Sequence, residues 1–291
     1  MDMVCLALLF PLAGGIYFFG MYTLFVVLVA VVASLLTGIA SAMLRNQKFV
    51  LDHSLIVTGL LLGLTLPPRI PLWIVLLAAV ICVGVFREAF GGFGKNLLNP
   101  ALAGRVLVVL LMGSYIPSWI APVSSLSTTD SFTTATPLSS GFSNSGSTGE
   151  LYLDLFFGDV GGCIGETSAF LILLGGILLI AAGVIKWRVP VIYISTVFLL
   201  TLVVPGEDPI FHILAGGLFL GAFFMATDPV TTPLTAKGQA IFAIGAGILV
   251  VLIRLLLYMP EGVAVSILVM NALTPFIDRH IREIPYGHVR A

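Results

Sequence analysis

Residues 24–44 read LFVVLVAVVASLLTGIASAML, a continuous apolar run without a charged side chain. A transmembrane α-helix needs about 20 predominantly apolar residues to cross the roughly 30 Å hydrocarbon core of a bilayer. A second apolar run of similar length extends from residue 166 to residue 185. These two segments predict a helical protein that is embedded in a membrane.

The composition extends this prediction to the whole chain. Of its residues, 59% are hydrophobic and only 9% are charged, whereas an average soluble domain carries about 25% charged residues. A chain with so few charges could not cover a folded surface in water, so lipid is the expected solvent. The net charge of −1 and the absence of a basic stripe argue against nucleic acid as a partner.

Glycine, proline and charged residues divide the chain into about ten predicted transmembrane spans. Several of these segments are shorter than an ordinary transmembrane helix, which requires broken or partly buried helices and leaves nine spans as the alternative. The predicted spans are residues 4–19, 21–44, 54–66, 71–90 and 100–113, followed by 166–185, 190–204, 211–226, 239–257 and 261–278.

The positive charges predict how these spans are oriented. Lys and Arg concentrate in cytoplasmic loops, and all but two of the 13 such residues fall at span ends that face one side, the exceptions being Arg69 and Arg254. This distribution places both termini in the cytoplasm. The long connection from residue 114 to residue 165 contains no Lys or Arg and is rich in Ser and Thr, so it is predicted to be extracytoplasmic.

A weak internal repeat predicts two related halves. A histidine precedes a pair of glycines four residues apart in each half: His53 precedes residues 59–63, and His212 precedes residues 217–221. Because five spans per half is an odd number, the second half must be inverted relative to the first. The predicted organisation is an all-α integral membrane protein of about ten helices in two inverted five-helix repeats. Its parts are the first repeat, 1–113; the extracytoplasmic loop, 114–165, with a short interfacial helix at 151–157; the second repeat, 166–278; and a cytoplasmic tail, 279–291.

Residues 91–100, GGFGKNLLNP, are predicted to lie at the cytoplasmic end between the fourth and fifth spans. Glycines let a backbone approach a flat or phosphorylated ligand closely. Asn96 and Asn99, which follow Lys95, each supply a donor and an acceptor that can bind the edge of a heterocycle. A tight turn in which the asparagines cap helix ends explains the same residues, so both interpretations stay open.

Residues 161–168, GGCIGETS, are predicted to lie at the opposite face, where the long loop enters the sixth span. Glu166, Thr167 and Ser168 are placed to cap that helix. The positive N-terminal end of the helix also favours an anionic group such as a phosphate. The sequence does not separate these two roles.

Among the few ionisable residues inside the predicted spans are Glu88, Arg105 and Arg254. A charge in lipid is costly and suggests a function, but all three lie near a predicted boundary, where their side chains are expected to reach the interface. Asp228, in the turn at residues 226–233, is interpreted as a cap in preference to a cation ligand. The three cysteines show no CxxC spacing, so no metal or iron–sulfur site is predicted.

Residues 130–138, DSFTTATPL, resemble the flavinylation motif Asp-x-x-Ser/Thr-Gly-Ala-Ser/Thr of membrane redox subunits. Together with four further motifs in the same order, they make nearly the whole chain similar to the RnfD/NqrB family. The short length and brief N-terminus resemble the Rnf branch more than the longer NqrB branch. The four further motifs are GGFGKNLLNPAL, GGCIGETSA, MATDPVTTPLTAKGQ and PEGVAVSILVMNALTPFIDR.

The resemblance implies that Thr136 carries FMN through a phosphoester bond, attached outside the cytoplasm by a flavin transferase. One position departs from the motif, because Thr134 stands where the family usually has glycine or another very small residue. Thr133 and Thr134 are therefore the alternative attachment sites. The resemblance further implies a second, noncovalent flavin, riboflavin, for which Lys95, Asn96 and Asn99 are the candidate ligands on the cytoplasmic side.

The implied function is electron transfer through two flavins in a prokaryotic inner-membrane complex that couples ferredoxin and NAD⁺ chemistry to Na⁺ or H⁺ translocation. The implied partners are proteins of the types RnfA, RnfB, RnfC, RnfE and RnfG, together with membrane lipid. Two alternatives stay open: the NqrB component of a Na⁺-translocating NADH:quinone reductase, and a non-redox inverted-repeat channel or transporter for a small solute.

Overall fold

The computed structural model describes residues 1–46, 52–92, 94–116, 138, 148–257 and 261–281. All regular structure within these ranges is helical. The helices are α1 Asp2–Phe19, α2 Tyr22–Leu44, α3 His53–Leu64, α4 Leu72–Val80 with a π-helical continuation Ile81–Glu88, α5 Pro100–Met112 with a 3₁₀ turn Gly113–Tyr115, α6 Thr148–Phe157, α7 Ala169–Ala181, α8 Arg188–Val203, α9 Pro209–Leu214, α10 Leu218–Leu220 with a π-helical continuation Gly221–Met225, α11 Ala236–Leu257 and α12 Gly262–His280.

Four of these helices, α1, α2, α11 and α12, are long and apolar enough to cross a membrane. The chain is therefore a multi-pass α-helical membrane protein, as predicted. All ten predicted spans overlap helical structure, and α6 covers the predicted interfacial segment. The crossing of the membrane by the shorter helices, and hence the count of ten, stays a prediction.

Polar side chains placed before apolar runs determine where several helices begin. Asp52 accepts a hydrogen bond from the backbone N–H of Ser54 at 2.9 Å before α3, and Asp208 does the same for Ile210 at 3.0 Å before α9. Such N-caps satisfy backbone donors that have no partner inside the helix. These caps contribute more to stability in a membrane than in water, because no water is present in the hydrocarbon region to bind the free backbone donors.

Each half contains a helix that packs against two others of the same half. In the first half α2 packs against α3 and α4, and in the second half α8 packs against α9 and α11. The two halves meet where α1 packs against α7 and where α5 packs against α12. The ion cluster around Arg105 described below lies at the second of these junctions.

The glycine pair of the first half brings α3 directly onto the backbone of α2. A Cβ added at Gly59 would lie 2.6 Å from Cα of Val31, and one added at Gly63 would lie 2.9 Å from Cα of Val27. Small residues at such positions allow close packing between helices in membranes. In the second half Gly221 has a similar role, since its added Cβ would lie 2.4 Å from Cγ1 of Val263.

Gly59→Ala is expected to lower the free energy of unfolding in detergent by about 1–3 kcal/mol, because α3 must move away from the α2 backbone. Gly84→Ala is the control: its Cβ would meet only Cγ2 of Thr37, at 3.6 Å, and the expected change is within about 0.5 kcal/mol. Chemical denaturation of both variants measures the difference. Equal stabilities would contradict the packing argument.

Candidate functional site

A cavity of about 180 Å³ lies at the end of the helix bundle where α5 begins, called here the Asn99 end. Residues of α3 and residues 96–101 form its wall on the side of the first half, and residues 223–230 form it on the side of the second half. The GGFGKNLLNP segment, which was predicted to carry cofactor-binding residues, therefore faces the turn that contains Asp228 across this space.

The structure distinguishes the residues of the GGFGKNLLNP segment. Asn99 is buried, and its side-chain oxygen accepts hydrogen bonds from the backbone N–H groups of Ala101 at 3.1 Å and Leu102 at 3.4 Å. The capping interpretation is therefore confirmed for Asn99, which also lines the cavity. The side-chain oxygen of Asn96 is buried and has no hydrogen-bond partner among the described residues. Lys95 is exposed and is not among the residues that line the cavity.

Asp228 lies on the opposite wall of this cavity, in the turn between α10 and α11. Its carboxylate accepts hydrogen bonds from the backbone N–H of Val230 and from the hydroxyl of Thr231, both at 3.3 Å. These contacts stabilise the turn, and the next helix, α11, begins only at Ala236. Burial raises the pKa of Asp228 above its ordinary value, although the two hydrogen bonds oppose this shift.

A buried ion cluster lies toward the other end of the bundle, called here the Glu261 end. The Arg105 guanidinium donates from Nη1 to Oε1 of Glu166 at 2.7 Å, and its Nη2 lies 2.9 Å from Oε2 of Glu261. The same nitrogen donates to Sγ of Cys163 at 3.5 Å. The cluster thus connects α5 to the GGCIGETS segment and to the beginning of α12.

The expectation that Arg105 reaches the membrane interface was wrong. Only 8% of its side chain is exposed, and its partners are two carboxylates from elements that the charge distribution assigns to the extracytoplasmic face. The side chain extends from α5 toward these carboxylates because they supply a counter-charge to a guanidinium that is removed from water.

The three residues Glu166, Thr167 and Ser168 have separate roles. The hydroxyl of Ser168 accepts a hydrogen bond from the backbone N–H of Leu171 at 3.4 Å and so caps α7, as predicted. Glu166 is instead a partner of Arg105. Thr167 is buried and lines a second cavity, of about 40 Å³, together with Arg105, Glu166 and Glu261.

Arg254 was also predicted incorrectly. It is 5% exposed, and its guanidinium donates to the carbonyl oxygens of His212 at 2.5 Å and Ala215 at 3.0 Å. These carbonyls lie at the end of α9, where Gly216 and Gly217 adopt positive φ angles of 71° and 68° and break the helix. Arg254 therefore satisfies backbone acceptors that the break leaves free.

Leu138 is the only residue between 117 and 147 that the structure describes. Its side chain packs against Gly216. A Cβ added at Gly216 would lie 2.2 Å from Cδ1 of Leu138, so only glycine leaves room for this side chain. Leu138 lines the second cavity beside Glu166 and Glu261. Thr136 and the alternatives Thr133 and Thr134 lie outside the described residues.

Glu88 belongs to a charged group near the Asn99 end. Its carboxylate lies 3.4 Å from the Arg45 guanidinium and 3.8 Å from that of Arg87, and Arg87 in turn binds Asp52 at 2.6 Å. Burial disfavours ionisation of Asp52, but hydrogen bonds from Ser54 and the charge of Arg87 outweigh this effect and lower its pKa.

Sequence reasoning missed Glu261 entirely and misplaced Arg105. Glu261 is the only carboxylate between α11 and α12, and 20% of its side chain is exposed. Its place at the start of an apolar helix is the one feature of the sequence that could have drawn attention to it. Its arginine partner is 156 residues away, so the pairing itself could not be inferred.

Comparisons with known proteins agree on one family. A model of the NQR2, RnfD, RnfE family matches residues 1–287. A component of the Na⁺-translocating ferredoxin:NAD⁺ oxidoreductase complex of Acetobacterium woodii is 44% identical over 292 aligned residues, covering 99% of this chain and 90% of the relative. A component of the proton-translocating ferredoxin:NAD⁺ oxidoreductase complex of Clostridium ljungdahlii is 42% identical over 98% of this chain and 90% of the relative. A component of an ion-translocating oxidoreductase complex of Stutzerimonas stutzeri is 37% identical, with the same coverage.

Asn99→Ala is expected to lower the free energy of unfolding by about 1 kcal/mol, because two backbone donors at the start of α5 lose their acceptor. Asn99→Ser is the matched control, since a serine hydroxyl can cap the same donors and should restore most of the stability. Equilibrium denaturation in detergent measures both variants. If the two variants are equally destabilised, Asn99 does not stabilise the protein as a helix cap.

Proposed function

This chain belongs to the NQR2, RnfD, RnfE family, and from that membership we propose that it is the electron-carrying membrane component of an Rnf-type complex. The complex couples electron transfer between ferredoxin and NAD⁺ to ion translocation. The observation that carries the proposal is the 44% and 42% identity to two proteins named as components of ferredoxin:NAD⁺ oxidoreductase complexes. The same names favour the Rnf branch over the NqrB branch. Because one relative is named for Na⁺ and the other for protons, both ions remain within the proposal.

The proposed architecture is two inverted halves with ten spans and both termini in the cytoplasm of a prokaryotic cell. Corresponding helices of the halves support it, since α1 packs against α7 and α5 packs against α12. The short helices α3 and α9 correspond as well, and each begins after an aspartate cap. In this orientation the Asn99 end is cytoplasmic, and the Glu261 end is extracytoplasmic.

The proposed site of covalent FMN is Thr136, at the Glu261 end. Its support is the flavinylation motif together with the position of Leu138 against Gly216. Thr136 precedes Leu138 by two residues in the sequence. The buried charges of Arg105 and Arg254 lie on this side of the molecule and would act on the electrostatics of a flavin phosphate.

The proposed site of the noncovalent flavin, riboflavin, is the cavity at the Asn99 end. The residues present fit the group: the unpartnered side-chain oxygen of Asn96 is an acceptor for a ring N–H, and Phe223 and Phe224 contribute apolar wall. A cavity of about 150 Å³ binds benzene, so 180 Å³ is sufficient for one ring of a flavin. Lys95 is not part of this proposal, because it lies outside the cavity wall.

The two proposed sites suit electron transfer through the protein. When bound, flavins supply one- and two-electron chemistry, and the protein supplies position and electrostatics. Asn99 and Arg105 are six residues apart along α5, which corresponds to about 9 Å along the helix axis.

The proposed partners are proteins of the types RnfA, RnfB, RnfC, RnfE and RnfG, the surrounding lipid, and a flavin transferase during maturation. The word "complex" in the names of the relatives supports the existence of partner proteins.

Thr136→Ala is expected to abolish covalent flavin, because the hydroxyl that forms the phosphoester is removed. The protein should be produced together with its flavin transferase. In-gel flavin fluorescence after denaturation and intact-mass measurement then report the attached FMN.

Thr136→Ser keeps a hydroxyl and is expected to retain the flavin, as are Thr133→Ala and Thr134→Ala. Undiminished covalent FMN in Thr136→Ala, or its loss in Thr133→Ala or Thr134→Ala alone, would assign the attachment to another residue. A wild-type protein with no covalent flavin at all would contradict the electron-carrier proposal.

Asn96→Leu is expected to reduce noncovalent flavin in the purified complex by about tenfold or more, since a ring hydrogen bond in an apolar pocket loses its acceptor. Acid extraction followed by chromatography measures the released riboflavin. Asn271→Leu is the matched control: Asn271 is also buried without a hydrogen-bond partner among the described residues, but it does not line the cavity. Equal riboflavin content in the two variants would remove Asn96 from the site.

A further inference from the structure

Asp228 brings a carboxylate into the wall of the 180 Å³ cavity at the Asn99 end. It belongs to the turn that connects the π-helical continuation of α10 to α11. The same cavity is lined by Asn96, Phe223 and Phe224. The carboxylate therefore shares one space with the residues that the proposed function assigns to riboflavin.

The partners of Asp228 differ from those of other carboxylates in the bundle. Asp52 and Glu88 bind arginines at 2.6 and 3.4 Å, and Glu166 binds Arg105 at 2.7 Å. Asp228 instead accepts two hydrogen bonds from neutral donors, both at 3.3 Å, and the described part of the chain places no Lys, Arg or His in ion-pair contact with it. A carboxylate that is partly removed from water and lacks a counter-charge binds a proton more readily.

Other charged groups surround the turn without direct contact to the carboxylate of Asp228. Across the cavity, Arg87 is bound to Asp52 at 2.6 Å. Beside the turn, Asp278 accepts a hydrogen bond from the backbone N–H of Leu234 at 3.2 Å. Further charged groups on the surrounding elements are the α-amino group of Met1, which lines the cavity, and Asp2, His53, Lys95, Lys186 and Lys237, which are exposed and do not line it.

Asp228 lies where the cavity meets water. The next residue, Pro229, lines the cavity and is exposed, so a proton can reach the carboxylate without crossing the bundle. Burial raises the pKa of Asp228 and so brings protonation closer to neutral pH. Position, partners and access to water together suit a group that binds and releases a proton.

We infer that Asp228 takes up a proton from water when the flavin of this cavity is reduced, and that it releases the proton on reoxidation. The proton forms an O–H bond on the carboxylate, so the site gains one electron and one positive charge together. The electron comes from the donor that the proposed electron transfer supplies. Compensation of this kind is favoured because an uncompensated charge in an apolar space is costly. This inference rests on the proposed function and names the residue that couples reduction in this cavity to protonation.

The test uses the full chain produced without its flavin transferase, so that the noncovalent flavin is the flavin that it carries. Redox titration followed by flavin absorbance gives the midpoint potential at a series of pH values. Asp228→Asn is expected to match the wild type at low pH, where both side chains are neutral. As the pH rises, the ionised carboxylate disfavours reduction in the wild type alone, so the wild-type potential should fall below that of the variant. A difference that is the same at every pH, or no difference, would overturn the inference.

Two further variants separate protonation from packing. Asp228→Glu keeps a carboxyl group and is expected to keep a pH dependence of the same sign. Thr231→Val removes a hydrogen bond that favours the ionised carboxylate, so the carboxyl group should lose its proton at a higher pH and the pH dependence should shift upward. If Asp228→Asn does not retain flavin, Thr231→Val decides the matter, and an unshifted pH dependence in it would overturn the inference.

Infrared difference spectroscopy detects the protonation itself. The reduced-minus-oxidised spectrum of the wild type should contain the C=O stretching band of a protonated carboxyl group, which shifts in D₂O and is absent from Asp228→Asn. Glu88→Gln is the control and should keep the band, since Glu88 is bound to Arg45 and does not line the cavity. A wild-type chain that binds flavin but lacks the band would overturn this inference alone. A chain that binds no flavin would overturn the proposed riboflavin site, and this inference with it.

Discussion

Every polar group that lipid surrounds must find its partner inside the protein, and this constraint governs the second half of the chain. The turn at Gly216 and Gly217 interrupts the helical hydrogen bonding after α9. A buried carbonyl without a partner costs a few kcal/mol. Arg254 supplies donors to the carbonyls of His212 and Ala215, and this makes a broken helix possible within the bundle. The break in turn creates the recess that receives Leu138.

The same constraint explains the ion cluster around Arg105. In lipid no hydrophobic driving force holds one helix against another, so packing and polar contacts determine how helices associate. Arg105 joins α5 to Glu166 and Glu261, which lie 61 and 156 residues away in the sequence. Removing one partner of a buried ion pair typically costs about 3–5 kcal/mol. The cluster therefore fixes how three distant elements meet near the Glu261 end.

Local sequence patterns predicted much of this structure, because helices and their caps depend on neighbouring residues. The apolar runs located the helical segments, and Ser168 and Asn99 were correctly placed at helix starts. The partners of Arg105 and Arg254 could not be predicted in this way. Proximity to a predicted boundary suggested that both side chains reach the interface, whereas the fold supplies carboxylates and carbonyls from distant segments. Long-range pairing of this kind leaves no periodic signal in a single sequence.

The unequal cavities at the two ends agree with the two proposed modes of flavin attachment. A noncovalent ligand must gain its affinity from enclosure and from specific polar contacts, and the Asn99 end offers 180 Å³ with an unpartnered amide oxygen. A covalently attached group needs no such enclosure, because the bond itself keeps it at high effective concentration. The Glu261 end offers only about 40 Å³ together with fixed charges. Such a site can orient a tethered phosphate and act on its electrostatics without enclosing the ring system.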